Sequence, residues 1–243
     1  MKANIAFLLG FVVLGTACSR KGTSNISSLK ATGFGAAIVE SSGGKQFSQT
    51  GGPLPQPVVV QVNDAQGTAV PGALVEFTGV PGVAFDPATA LTDSSGQVAT
   101  SVSLGGMAGR YQIIASTFDK SHKEVELKLE EIALGYQQTL GRRLNEQYCD
   151  RCHNSESTAE RVSNYDNLEV KPHPFTEGDT LNKLSDADLT AIITNGGPAL
   201  QKSALMPAWG NTLSKSDIQA LIGYIRAVAD PPSKNAGPVY ARK

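Results

Sequence analysis

The sequence predicts two domains of different class, an all-β sandwich followed by an all-α domain. Three observations carry this reading. From about Gly33 to Glu131, short runs rich in valine, threonine and aromatics recur roughly every ten residues, separated by turn residues. After Gly135 the apolar spacing becomes helical, with serine caps and glycine stops. The 243 residues are enough for one or two domains.

The chain opens with "MKANIAFLLGFVVLGTAC". Lys2, an apolar stretch from Ile5 to Val13 and the small residues Gly15-Thr16-Ala17 have the layout of a secretory signal peptide over residues 1–17. The apolar run is short for a bilayer span. "LGTAC" resembles a bacterial lipobox, which implies that Cys18 becomes a lipidated N-terminus holding the protein to a membrane. Each buried methylene of such an anchor contributes about 0.8 kcal/mol. The alternative is ordinary cleavage near Ala17, leaving a free thiol. The expectation is therefore an exported protein, lipid-anchored on the periplasmic or cell-surface side. Ser19 points to the outer membrane by a sorting rule of enteric bacteria. Residues 18–31, polar and rich in serine and glycine, read as a flexible tether.

Residues 32–131 are the predicted sandwich. "PVVVQVND", "ALVEFTG", "GQVATSVSL", "RYQIIAS" and "KEVELKLE" are the strand candidates. Turns are expected at Asp64 to Gly67, Pro71-Gly72, Pro81-Gly82, Asp93 to Gly96 and Gly105-Gly106. In the last run Val125, Leu127 and Leu129 alternate with Glu124, Glu126 and Lys128, which puts one face in a core and the other in water. No cysteine bridges the sheets, so the core alone must hold them. His122, between Lys120 and Lys123, reads as a solvated loop residue. The pattern V-x-D-x-x-G-x-x-V-P-G-x-x-V-x-F, the "TDSSGQ" turn and the "AGRYQIIAS" strand resemble the bacterial Ig-like domain of the invasin and intimin type. That resemblance implies a spacer or adhesive stalk and no catalytic cluster.

Residues 135–230 are the predicted helical domain, followed by a C-terminal tail at 231–243. Leu140, Leu144 and Tyr148 fall four apart on one helical face. "LSDADLTAIITNGG" has Ser185 as cap, Asp186 and Asp188 in its first turn and a stop at Gly196-Gly197. "LSKSDIQALIGYIRAVADPP" repeats the design, with Ser214 as cap and Pro231-Pro232 beyond the end.

Before those two helices lies "CDRCH", residues 149–153. Two thiols three residues apart can add to the two vinyl groups of a haem, and the adjacent histidine then sits under the iron. Cys149, Cys152 and His153 thus match the c-type haem attachment signal, and export agrees with it. Three rivals exist. A redox Cys-x-x-Cys expects a βαβ setting. A zinc site needs four ligands and has no second cysteine pair, with His173 the one candidate addition. A disulfide between Cys149 and Cys152 would close a very small loop. A haem iron also needs a partner on its other face. Met206, in "SALMPAWG", is the only methionine of this domain and lies in a Pro-Gly loop; His173 competes with it and would give a lower potential.

"CDRCH", "ITNGGPALQKSALMPAWG" and "LSKSDIQALIGYIR" make residues 135–230 resemble a single-haem class I cytochrome c. The resemblance implies one covalent haem c, with His153 and Met206 as axial ligands, and a crossing of first and last helices at Gly141, Leu221 and Tyr224. Asn145 stands where that family usually has an aromatic. Trp209 is expected near the haem edge. The function expected is an electron carrier, not an enzyme, whose partners are redox proteins and the membrane. An electron-transfer subunit of a redox enzyme complex, or a surface adhesion module with an accessory haem, are the alternatives. A formal charge of −1 and the lack of a basic cluster argue against nucleic acid as a partner.

Overall fold

The computed structural model describes residues 29–154 and 163–242. The signal peptide over 1–17, the lipidation position Cys18 and most of the tether lie outside the described residues. No helix among the described residues is long and apolar enough to cross a membrane.

The N-terminal half is a two-sheet sandwich. Its strands are β1 Ala37–Ser42, β2 Phe47–Gln49, β3 Val58–Asn63, β4 Leu74–Gly79, β5 Ala84–Asp86, β6 Thr89–Leu91, β7 Gln97–Ser103, β8 Gly109–Phe118 and β9 Glu124–Leu134. One sheet has the order β1-β3-β7-β5, the other β2-β9-β8-β4-β6. Valines 58, 60 and 62 of β3 are fully buried while their neighbours are not, as period two requires. They meet Val75 and Phe77 of β4, Val98 and Val102 of β7, and Tyr111, Ile113 and Ala115 of β8 in one core. The Asp64 and Asp93 side chains close their turns by accepting amide hydrogens of Thr68 and Gln97, and Gly67 and Gly96 follow at positive φ. His122 is exposed in its turn, edge-on to Phe34.

Strand β9 runs past the predicted edge of the sandwich, to Leu134. Its outward positions change on the way. Glu124, Glu126, Lys128 and Glu130 give way to Ile132 and Leu134, both buried. The cause is the second half of the molecule, which covers that end. Only Gly135 separates β9 from the first helix, α1 Tyr136–Leu144.

After α1 come a π-helical turn at Asn145–Cys149, α2 Asp150–His153, α3 Gly178–Leu181, α4 Asp186–Asn195 and α5 Lys215–Val228. The helix expected to continue through Tyr148 therefore widens at Asn145; Leu144 and Tyr148 still pack on the same cluster. Ser185 and Ser214 each form a reciprocal capping box with Asp188 and Asp217. Helices α1 and α5 cross at Gly141, where a Cβ would lie 2.0 Å from the Ala220 carbonyl oxygen. Leu221 and Tyr224 are buried at the crossing, and so is Asn145.

The stretch beyond 230 returns to the sandwich. Strand β10, Val239–Tyr240, pairs in parallel with Arg110 and Tyr111 of β8. It takes the side of β8 that β4 leaves bare, since β4 reaches only as far as Ile113.

Candidate haem-attachment site

The π-turn and α2 present the Cys149-Cys152-His153 group. Both thiols are free and half-buried. Burial, with smaller contributions from Asp150 and Cys152, pushes the Cys149 thiol up to about 12. Among the described residues no three His, Cys, Asp or Glu side chains gather to hold a metal ion, so the zinc alternative has no donor set there.

His153 is held from two sides. Its Nδ1 lies 2.8 Å from the carbonyl oxygen of His173. A carbonyl can only accept, so Nδ1 carries the proton and Nε2 keeps a free lone pair. The ring also lies against Phe175, centroids 4.8 Å apart. Burial is the main cause that lowers the imidazole pKa, which favours the neutral ring that a metal ligand must be. A fixed tautomer with a free Nε2 is the usual state of a histidine ready to bind a metal.

His173 thus serves through its backbone. Its exposed ring turns away to Glu177, with Nδ1 3.0 Å from the carboxylate, and that bond and one from Thr180 hold Glu177 below the usual carboxylate range. As the competing ligand it would have to leave that pair. Met206 sits in a tight loop after a 3-10 turn at Gly197–Leu200. Its carbonyl accepts from the Gly197 amide at 3.0 Å. Gly197 has to be glycine, since a Cβ would come 1.9 Å from the Ser203 carbonyl oxygen. The Met206 side chain packs half-buried on the same core as Cys149, Tyr148, Phe175, Ile192 and Trp209, around Leu189, Ile193 and Leu221. Trp209 lies beside Tyr148, with ring centroids 5.2 Å apart.

These residues suit a haem: two thiols at attachment spacing, an imidazole held through Nδ1, a soft thioether and an apolar wall with aromatics. Residues 137–225 match the family model described as cytochrome C oxidase, cbb3-type, subunit III. This cytochrome c domain implies covalently bound haem c and supports electron transfer as its role. No curated protein matches the chain. Among solved structures, the D00-D0 domain of intimin is similar at 17% identity and a TM-score of 0.31, covering 42% of this chain and 47% of that one. Invasin, a bacterial integrin-binding protein, is similar at 16% identity and a TM-score of 0.31, covering 40% of this chain and 19% of that one. A glycosyl hydrolase family 2 member from Bacteroides cellulosilyticus gives 15% identity and a TM-score of 0.31, covering 42% and 15%. The chain spans less than half the length of each. The strand order above carries the sandwich assignment.

Two features of the cytochrome c domain escaped the sequence reading. The His173 carbonyl has no side-chain signal, because any residue offers one. Phe175, in "KPHPFTEG", belongs to no motif that would mark it.

Proposed function

We propose that the chain is an exported, lipid-anchored c-type cytochrome that carries single electrons. In this reading Cys149 and Cys152 hold one haem c, His153 is the proximal ligand and Met206 the distal one. The haem supplies one-electron cycling between Fe(III) and Fe(II). The protein's part is to bury it, fix its ligands and set its potential. With both axial positions filled by side chains, none is left for a substrate, which supports a carrier over an enzyme. The observation that carries the proposal is the His153 geometry: a "CDRCH" histidine whose Nδ1 proton is given to a backbone carbonyl inside a matched cytochrome c domain. Cys18 as the anchor rests on the sequence pattern, and Cys18→Ala should release the protein from membranes with its haem intact.

The test of the ligand set is Met206→Ala. Loss of a neutral thioether should lower the midpoint potential and let carbon monoxide bind the reduced iron, with covalent attachment retained. His173→Ala keeps the backbone carbonyl and should change neither. If His173→Ala opens the iron and Met206→Ala does not, the distal assignment is reversed.

The family description also favours a second reading, an electron-transfer subunit of a larger redox complex. Co-purification of the tagged full chain with an integral membrane redox protein would select it.

A further inference from the structure

We propose that the sandwich is a positioning element of the haem site, acting through Arg110. This rests on the reading of His153 as proximal ligand. Arg110, on β8, is 3% exposed, and its guanidinium leaves the sandwich to reach the end of α5. Nη2 donates to the carbonyl oxygens of Ala227 at 2.9 Å and Ala229 at 2.6 Å, and Nη1 pairs with Glu130. The last carbonyls of a helix have no partner inside it, and a cation there is favoured by the helix dipole. A planar fork holds its donors at fixed angles toward both carbonyls and the carboxylate, whereas an ammonium is a point charge on a flexible stem.

The next residue carries the constraint onward. The Asp230 amide donates to the Thr176 carbonyl at 2.8 Å, and the Gly178 amide to the Asp230 carbonyl at 2.9 Å. This two-bond ladder locks the loop 173–178 onto the chain leaving α5. Its closeness requires glycine, since a Cβ on Gly178 would lie 2.2 Å from the Pro231 carbonyl oxygen. The locked loop holds the His173 carbonyl that accepts the hydrogen bond of His153 Nδ1–H and the Phe175 ring that abuts His153. Phe175 also packs on the interdomain cluster of Ile132, Leu134, Tyr224 and Val228, to which Phe47 of β2 adds its ring. With one residue between β9 and α1, the two halves have little freedom to separate.

Chemistry follows from the last bond of this series. A firm Nδ1–H···O bond raises the donor strength of the imidazole and so favours Fe(III). Loosening the loop should weaken it and raise the midpoint potential.

Arg110→Met in the full-length holoprotein should raise the midpoint potential while the Met206–iron absorption and the covalent haem persist. Amide exchange at Gly178 and Asp230, read by NMR, should speed up by roughly tenfold or more, as expected for local opening of a released ladder. Arg110→Lys, which keeps the charge and loses the fork, should shift both readouts in the same direction by less. It also serves, with Phe47→Ala, if Arg110→Met fails to fold. Unchanged potential and unchanged exchange in these variants would overturn the proposal. So would Lys45→Ala matching Arg110→Met, because Lys45 reaches Asp230 only through an exposed ion pair. If the parent protein carries no covalent haem, the functional reading fails, and the exchange measurement still decides whether Arg110 holds the loop.

Discussion

The sandwich and the cytochrome c domain bury their apolar residues differently. In the sandwich, Val58, Val60, Val62, Ala73, Val75, Ile113 and Ala115 have no exposed surface at all. In the helical half, Leu221 alone of the apolar side chains in the main cluster reaches that state, and Tyr148, Cys149, Phe175, Ile192, Met206 and Trp209 stay half-open around it. A self-complementary β core and an apolar wall open on one side have different jobs. The first is sealed on itself; the second, in the reading proposed above, is where a flat apolar group would pack. The difference teaches that the two halves are not equally tight, and that the tighter one reaches the looser through a shared boundary at Arg110.

The comparison breaks most visibly at the cysteines. The double variant Cys149→Ala, Cys152→Ala should lose covalent haem completely by mass spectrometry, yet keep the far-ultraviolet β signal of the sandwich. A variant that unfolds throughout would mean that the sandwich depends on its partner.

Next in size is the reverse experiment. Phe77→Ala removes a ring that is 2% exposed in the sandwich core, and such truncations cost roughly 3–5 kcal/mol. Because Arg110 and the Phe47–Tyr224 ring contact cross the boundary, the β signal and the haem absorption should melt together at a lower temperature. If the β signal moves alone, the halves are independent.

A third test uses pH. Glu131 projects from β9 toward the core, opposite Tyr111, and desolvation raises its carboxyl from 4.5 to about 8 despite a bond from the Gln46 amide. Between those values the unfolded chain gives up a proton that the folded chain keeps. Stability should therefore fall as pH rises from 4.5 to about 8 and then level off, by on the order of a few kcal/mol. Denaturant melts of Glu131→Gln should lose that slope. A slope that persists would place the titration elsewhere.

The smallest effect is expected at a cap. Ser214→Ala removes the acceptor for the Asp217 amide at the start of α5 and should cost about 1 kcal/mol in chemical denaturation. The same bonding holds the Asp217 carboxyl below its usual range, so the variant should also bring that pKa back up by NMR titration. Neither change should reach the haem potential, because α5 is held at its far end by Arg110.

Much of this molecule could be read locally. Alternating valines at 58, 60 and 62 define a strand because every second side chain must face the same way. Ser185 and Ser214 define helix starts because the first amides of a helix need an acceptor. Gly141 at the crossing of α1 and α5 came from the family resemblance and not from any local rule. The attachment group is legible for the same reason: Cys149, Cys152 and His153 lie within five residues, so their relative placement needs no long-range fold.

What the sequence by itself determined are the features whose partners lie nearby in the chain: strand and helix types, caps, turns and the grouping of Cys149, Cys152 and His153. The tertiary structure decided the pairings between distant segments. Arg110 meets carbonyls 117 and 119 residues away, Asp230 meets Thr176, and β10 returns to β8. Glu131 looks like one more surface acid in "KLEEIAL", and burial is decided only by what packs over it. Backbone carbonyls such as that of His173 carry no mark in the sequence, because every residue has one. Only the closing of the chain selects which of them faces His153.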